Sequence, residues 1–194
     1  MSHVLRNKNS NHNPLSLPYQ KPFMADLQNN LLNAIKHIRA FVFDVDGVLT
    51  DGNILLLANG EWLRKMNVRD GFAIQHAIKT RYKVCVISED SSEAVGKRLD
   101  ALGIPEIYFN ADGKLAAFEK FIIDREIDVH EIMYMGDDIN DLPCLKSAGL
   151  AVCPSDAVEE VKAVCHYITQ AKGGEGCVRE VIEMVMKSHK VWDF

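Results

Sequence analysis

Residues 40–52 read AFVFDVDGVLTDG, an unbroken apolar run that stops abruptly in paired aspartates. The run from Ala40 to Val45 does not alternate apolar with polar, so it predicts a strand covered on both faces. The same signature returns in YKVCVIS (82–88), EIYF (106–109), EIMYMG (131–136) and GLAVC (149–153), with HYIT (166–169) as a sixth candidate. Between these runs, residues 70–80, 91–102, 113–125, 140–147 and 156–163 carry helical spacing, and 177–187 closes the chain likewise. Buried strands alternating with helices predict a doubly wound α/β domain built on a parallel sheet.

Residues 53–68, NILLLANGEWLRKMNV, interrupt the alternation directly after the first strand. Two extended runs flank Ala58-Asn59-Gly60, and Asn-Gly is the strongest short hairpin signal. Leu55, Leu56 and Leu57 cannot all face inward from a two-stranded ribbon, so the pattern predicts a subunit partner covering them. Residues 1–23 are polar, Asn-rich and punctuated by proline, which predicts a mobile tail before a single domain over 24–194. A short amphipathic helix is expected from Leu27, with Leu31, Leu32, Ile35 and Ile38 on one face.

Composition narrows the function classes. The 194 residues hold 47% hydrophobic and 25% charged side chains, as in an ordinary globular protein. A formal charge of −5 and the lack of a basic stripe argue against nucleic acid as a partner. The apolar runs have the length of strands, well short of the ~20 residues that cross a bilayer. Five cysteines at 85, 144, 153, 165 and 177 lack CxxC spacing and predict free thiols in a reducing compartment. With no apolar core of signal-peptide length in residues 1–23, the expected location is the cytoplasm.

In a doubly wound sheet, ligands bind beyond the carboxyl ends of the strands. Those ends carry Asp44 and Asp46, then Ser88, then Asp112-Gly113-Lys114, then Gly136-Asp137-Asp138-Ile139-Asn140-Asp141. Crowded carboxylates repel unless a cation sits among them, and an all-oxygen set suits Mg²⁺. A lysine beside such a site calls for an anionic substrate, and phosphate fits.

DVDGVLTDG, Ser88, Lys114 and GDDxND together resemble the four motifs of the haloacid-dehalogenase superfamily of phosphohydrolases. The hairpin, VRDGFAI (68–74) and KGGEGCVRE (172–180) resemble its small branch without a cap domain, which includes the 3-deoxy-D-manno-octulosonate 8-phosphate phosphatases. The resemblance spans about residues 36 to 187. It implies that Asp44 is a nucleophile forming an aspartyl-phosphate and that Asp46 is the general acid and base. Ser88 and Lys114 would hold the phosphoryl group. Mg²⁺ would be bound by Asp44, Asp137 and the backbone carbonyl of Asp46, with Asp138 and Asp141 orienting that cluster from behind. The resemblance further implies a homotetramer, with a neighbouring subunit completing the site for a phosphorylated sugar. Thr50, Arg69, Asp70, Gly173, Gly174 and Arg179 are the candidates for contact with that sugar, and the glycine-rich 172–176 for a loop folding over it.

One stretch departs from the pattern. After the second-motif hydroxyl the family commonly carries Gly-Arg, whereas this chain has Glu89-Asp90. Two acids there would repel a sugar carboxylate unless another cation compensates, with Arg69 and Arg179 as candidates. The alternatives are another sugar phosphate, such as a nonulosonate 9-phosphate, or a neutral or amino sugar phosphate. A receiver-like phosphorylated switch would place its acid pair after the first strand and its phosphorylated Asp later. Here the pair Asp137-Asp138 comes late, and the hairpin is foreign to that class.

Overall fold

The computed structural model describes residues 31–109 and 113–194. The expected tail at 1–23, the helix start at Leu27 and Asp112 fall outside the described residues. Residues 31–37 are helical and bury Ile35, while Ile38 just beyond is fully enclosed.

Six strands form one parallel sheet: β1 (Ala40–Phe43), β4 (Lys83–Ser88), β5 (Glu106–Phe109), β6 (Ile132–Met135), β7 (Leu150–Cys153) and β8 (Tyr167–Ile168). Their order is β5-β4-β1-β6-β7-β8, so β1 lies inside and the chain reverses direction of growth beside it. Parallel neighbours require crossovers, and helices supply them. The five crossovers run through α1 (Val68–Lys79), α2 (Glu93–Ala101), α3 (Lys114–Arg125), α4 (Leu142–Ser147) and α5 (Glu159–Lys162), and α6 (Cys177–Ser188) follows the last strand.

Alternate strand residues build two cores. Phe41 and Phe43 face Val84, Val86, Met133 and Met135 under α1, α2 and α6. Ala40 and Val42 face Cys85, Ile87, Ile132 and Tyr134 under α3 and α4. In α6, Val178, Val181, Ile182, Val185 and Met186 recur at helical spacing and are all buried. Each such side chain contributes roughly 1.5–3 kcal/mol on leaving water.

A turn at Val45–Leu49 and the hairpin separate β1 from α1. The hairpin pairs β2 (Leu55–Leu56) with β3 (Trp62–Leu63) in antiparallel register. The turn is a three-residue loop closed by Gly60 N–H to Leu57 O at 2.9 Å, with Gly60 alone at positive φ (+87°). That is the bulged turn of longer loops, and not the two-residue turn in which both central residues need positive φ. No cap domain interrupts the described residues. Among them, no helix is long and apolar enough to cross a membrane.

Candidate active site

Register brings the strand ends together. Phe43 lies beside Val86 on one side and Met135 on the other, so Asp44 emerges next to the ends of β4 and β6. The Asp44 N–H donates to Met135 O at 3.0 Å, the last bond before the chain turns away. The turn needs Gly47, whose φ is +83° and where a Cβ would stand 2.0 Å from Asp137 Oδ2.

Asp141 is the hub of the polar cluster. It is fully buried, and its two oxygens receive four donors. Lys114 Nζ (2.8 Å) and the Tyr134 hydroxyl (2.7 Å) donate to Oδ1. The N–H groups of Asp137 (3.0 Å) and Asp138 (3.3 Å) donate to Oδ2. Gly136 permits this approach, because a Cβ there would lie 2.3 Å from the Asp141 carboxyl carbon. Asp138 caps the turn at Ile139–Asp141, accepting from Ile139 N–H at 2.7 Å.

Lys114, buried at the start of α3, also sits 2.9 Å from Asp44 Oδ1. Burial pulls its ammonium down, but Asp44 and Asp141 outweigh that and leave it above the usual lysine range. One lysine shared by two carboxylates neutralises only one of them. Burial first, and then the Asp141 charge, therefore push Asp44 upward despite Lys114. The same two causes push Asp137 up to about 7. Oxygens of Asp44, Asp137 and Asp141 lie within 4.8 Å of one another. With Asp141 occupied by its four donors, Asp137 and Asp44, which only shares Lys114, are the pair left to take a cation. That donor set suits a hard divalent cation.

A cavity of about 330 Å³ opens onto this cluster, lined by Asp44, Asp46, Ser88, Glu89, Asp90, Lys114, Asp137, Asp138 and Asn140. Asp46 is held by Arg64, whose Nε and Nη2 donate to its two oxygens at 2.7 and 3.0 Å. Arg64 also pairs with Asp90. The cation compensating Asp90 is thus Arg64, and not the expected Arg69 or Arg179.

Several expected sugar contacts lie elsewhere in the chain. Arg69 and Arg179 line a separate groove of about 610 Å³ that contains none of the clustered aspartates. The Arg179 side chain pairs with Glu183 at 3.2 Å and lies over the Trp192 ring. Asp70 is 1% exposed and accepts the Arg179 N–H at 2.7 Å, closing the start of α6. Thr50 donates to Asp46 Oδ1 and accepts from the N–H groups of Gly47 and Gly52, so no hydrogen-bonding position is left over. Gly173 and Gly174 do not form an open flap. They are packed under the catalytic loop, with Gly174 N–H donating to Val48 O at 2.9 Å and Gly173 N–H to Asp156 at 3.0 Å. Arg64 and Tyr134, which no sequence motif marks, complete the site.

Comparison with known proteins agrees with this geometry. Residues 100–181 match the family model of haloacid dehalogenase-like hydrolases. The 3-deoxy-D-manno-octulosonate 8-phosphate phosphatase KdsC of Yersinia pestis is 33% identical over 158 residues, 81% of this chain and 84% of that protein. The KdsC of Escherichia coli K12 is 36% identical over 151 residues, 78% of this chain and 80% of that protein. A crystal structure of the Moraxella catarrhalis phosphatase, in complex with magnesium ion, phosphate ion and KDO, superposes with a TM-score of 0.80 at 34% identity. It covers 82% of this chain and 92% of that one. On this similarity in sequence and fold, the chain belongs to the haloacid dehalogenase-like hydrolases, in the family of the 3-deoxy-D-manno-octulosonate 8-phosphate phosphatases.

Proposed function

We propose that the protein is a Mg²⁺-dependent phosphomonoesterase that hydrolyses 3-deoxy-D-manno-octulosonate 8-phosphate through an aspartyl-phosphate on Asp44. The observation that carries this reading is the Asp44–Lys114–Asp141–Asp137 cluster at the mouth of β1, β4 and β6. Asp44, Asp137 and the backbone carbonyl of Asp46 would hold the metal, which would neutralise phosphoryl charge.

A carboxylate oxygen of Asp44 forms a bond to phosphorus as the bond to the sugar oxygen breaks. Asp46 gives that departing oxygen its proton. Water then attacks phosphorus, passes a proton to Asp46, and releases phosphate with the Asp44 carboxylate restored. Lys114 offsets part of the cost of a charged Asp44 and sits beside it to hold the phosphoryl oxygens, and Ser88, 3% exposed at the end of β4, donates a hydrogen bond to one of them. Asp141 fixes Lys114 and the 137–138 backbone from behind, and Asp138 holds the turn that carries Asp141.

The oligomer belongs to the same proposal. Leu55, Leu56 and Trp62 are 61%, 67% and 55% exposed on one hairpin, an apolar surface that a homotetramer would cover. Arg69 and Arg179, which line a groove other than the chain's own site, would then contact sugar in the site of a neighbouring subunit. The free cysteines at 85, 144, 153, 165 and 177 support a cytoplasmic location.

Phosphate release from three substrates tests the reading: the octulosonate 8-phosphate, a nonulosonate 9-phosphate and a neutral hexose 6-phosphate, each with Mg²⁺ and with EDTA. The octulosonate is expected to show the highest kcat/KM and to lose turnover in EDTA. A higher kcat/KM for either competitor would reassign the substrate, and turnover in EDTA would reject the metal.

A further inference from the structure

We infer that Arg64 is a positioning residue for Asp46, a role that rests on reading the site as a phosphomonoesterase. Its guanidinium decides which carboxylate oxygen exchanges a proton with the leaving group.

The assignment follows from counting lone pairs. Asp46 Oδ1 accepts from Arg64 Nε at 2.7 Å and from the Thr50 hydroxyl at 3.2 Å. Oδ2 accepts from Arg64 Nη2 at 3.0 Å and from no other described residue. A carboxylate oxygen has two acceptor positions, so Oδ1 is filled and Oδ2 keeps one open. Arg64 and Thr50 thus reserve Oδ2 for the reacting oxygen.

Arg64 is placed as a strut and not as a substrate ligand. Asp46 and Asp90 line the catalytic cavity, and Arg64 does not. It borders a different cavity of about 200 Å³ behind them, with Ser92, Val95 and Arg98. Its side chain is 4% exposed, although its hairpin neighbours Trp62 and Leu63 are 55% and 43% exposed. Pairing with Asp90 gives the guanidinium a second anchor, which explains an acid at that wall of the site without requiring it to touch the sugar. A planar fork can hold both oxygens of Asp46 at once, whereas an ammonium cannot.

The test separates leaving groups. The p-nitrophenolate of p-nitrophenyl phosphate departs without a proton, whereas a primary alkoxide needs one. Arg64→Met is expected to lower kcat for the octulosonate 8-phosphate by about tenfold or more, with KM unchanged within about threefold. On p-nitrophenyl phosphate, kcat/KM, which ends with departure of the nitrophenolate and excludes the later attack of water in which Asp46 is the base, should stay within about threefold of wild type, and Arg64→Lys should fall between on the sugar. Should Arg64→Met fail to fold, the same split in Arg64→Lys decides. Equal loss of kcat/KM on both substrates, loss on neither, or a change on the sugar confined to KM would overturn the role. Absence of Mg²⁺-dependent hydrolysis of both substrates by the wild type would instead overturn the reading of the site.

Discussion

Gly173 sits against the backbone of the catalytic loop, where an added Cβ would lie 1.9 Å from Gly47 O. The obstacle is main chain, so it cannot rotate away. Gly173→Ala is expected to push the 45–51 loop outward and cut kcat by tenfold or more on the ~10²-fold scale of a 1 Å misplacement. Steady-state kinetics beside a urea midpoint would check it, and unchanged kinetics would refute the contact. Asp70 provides a second residue-level expectation. Burial, working against the Arg179 and Gly176 N–H groups, raises its carboxyl to about 6 from an ordinary 3.8. A raised carboxyl favours the native state fully only below pH 4, and that stability is lost as pH rises through 6. Asp70→Asn, neutral throughout, should therefore gain on wild type as pH rises, with the gap widening by about 1 kcal/mol between pH 5 and 8. Urea midpoints at both pH values measure this, and a constant gap would contradict it. Asp44, Asp46, Ser88 and Asp137 were legible because each stands where an apolar run ends, and Lys114 because it opens the helix that follows one. Tyr134 was not, since inside a buried strand its ring reads as core and only tertiary contact reveals its hydroxyl on Asp141. Arg64 was hidden for the opposite reason, as one more cation on a polar hairpin 18 residues from its partner.

Elements came through better than their ends. All six strands and six core helices lie where the apolar and helical periods put them, and the departures have local causes. The first strand stops at Phe43, before Val45, because the loop that exposes Asp44 and Asp46 must leave the sheet. Helix α4 starts at Leu142, after a tighter turn that lets Asp138 and Asp141 cap each other. Helix α5 shrinks to Glu159–Lys162, with Asp156 before it accepting the Gly173 N–H. The hairpin carries the assembly prediction. A two-stranded ribbon with Leu55, Leu56 and Trp62 more than half exposed is not stable alone in water. Light scattering at micromolar concentration should give a tetramer, and Leu56→Glu should move the mass toward 21.8 kDa. A wild-type mass of 21.8 kDa would exclude hairpin-driven assembly.

At the scale of the whole molecule, the sheet order does the arranging. The chain winds from β1 outward to β4 and β5, returns to β6 on the other side, and leaves its crevice at that reversal. The loops after β1, β4, β5 and β6 then supply acids, a hydroxyl and a lysine, with no inserted domain among the described residues. The same convergence concentrates negative charge that Lys114 and Arg64 only partly offset, which is why a divalent cation is integral to the account. The most direct measurement is phosphate release from 3-deoxy-D-manno-octulosonate 8-phosphate by wild type and Asp44→Asn, with Mg²⁺ and with excess EDTA. Turnover is expected only for wild type with Mg²⁺, because a neutral amide is no nucleophile toward phosphorus and brings no charge to the metal. Wild-type-like turnover in Asp44→Asn, or full turnover in EDTA, would contradict it.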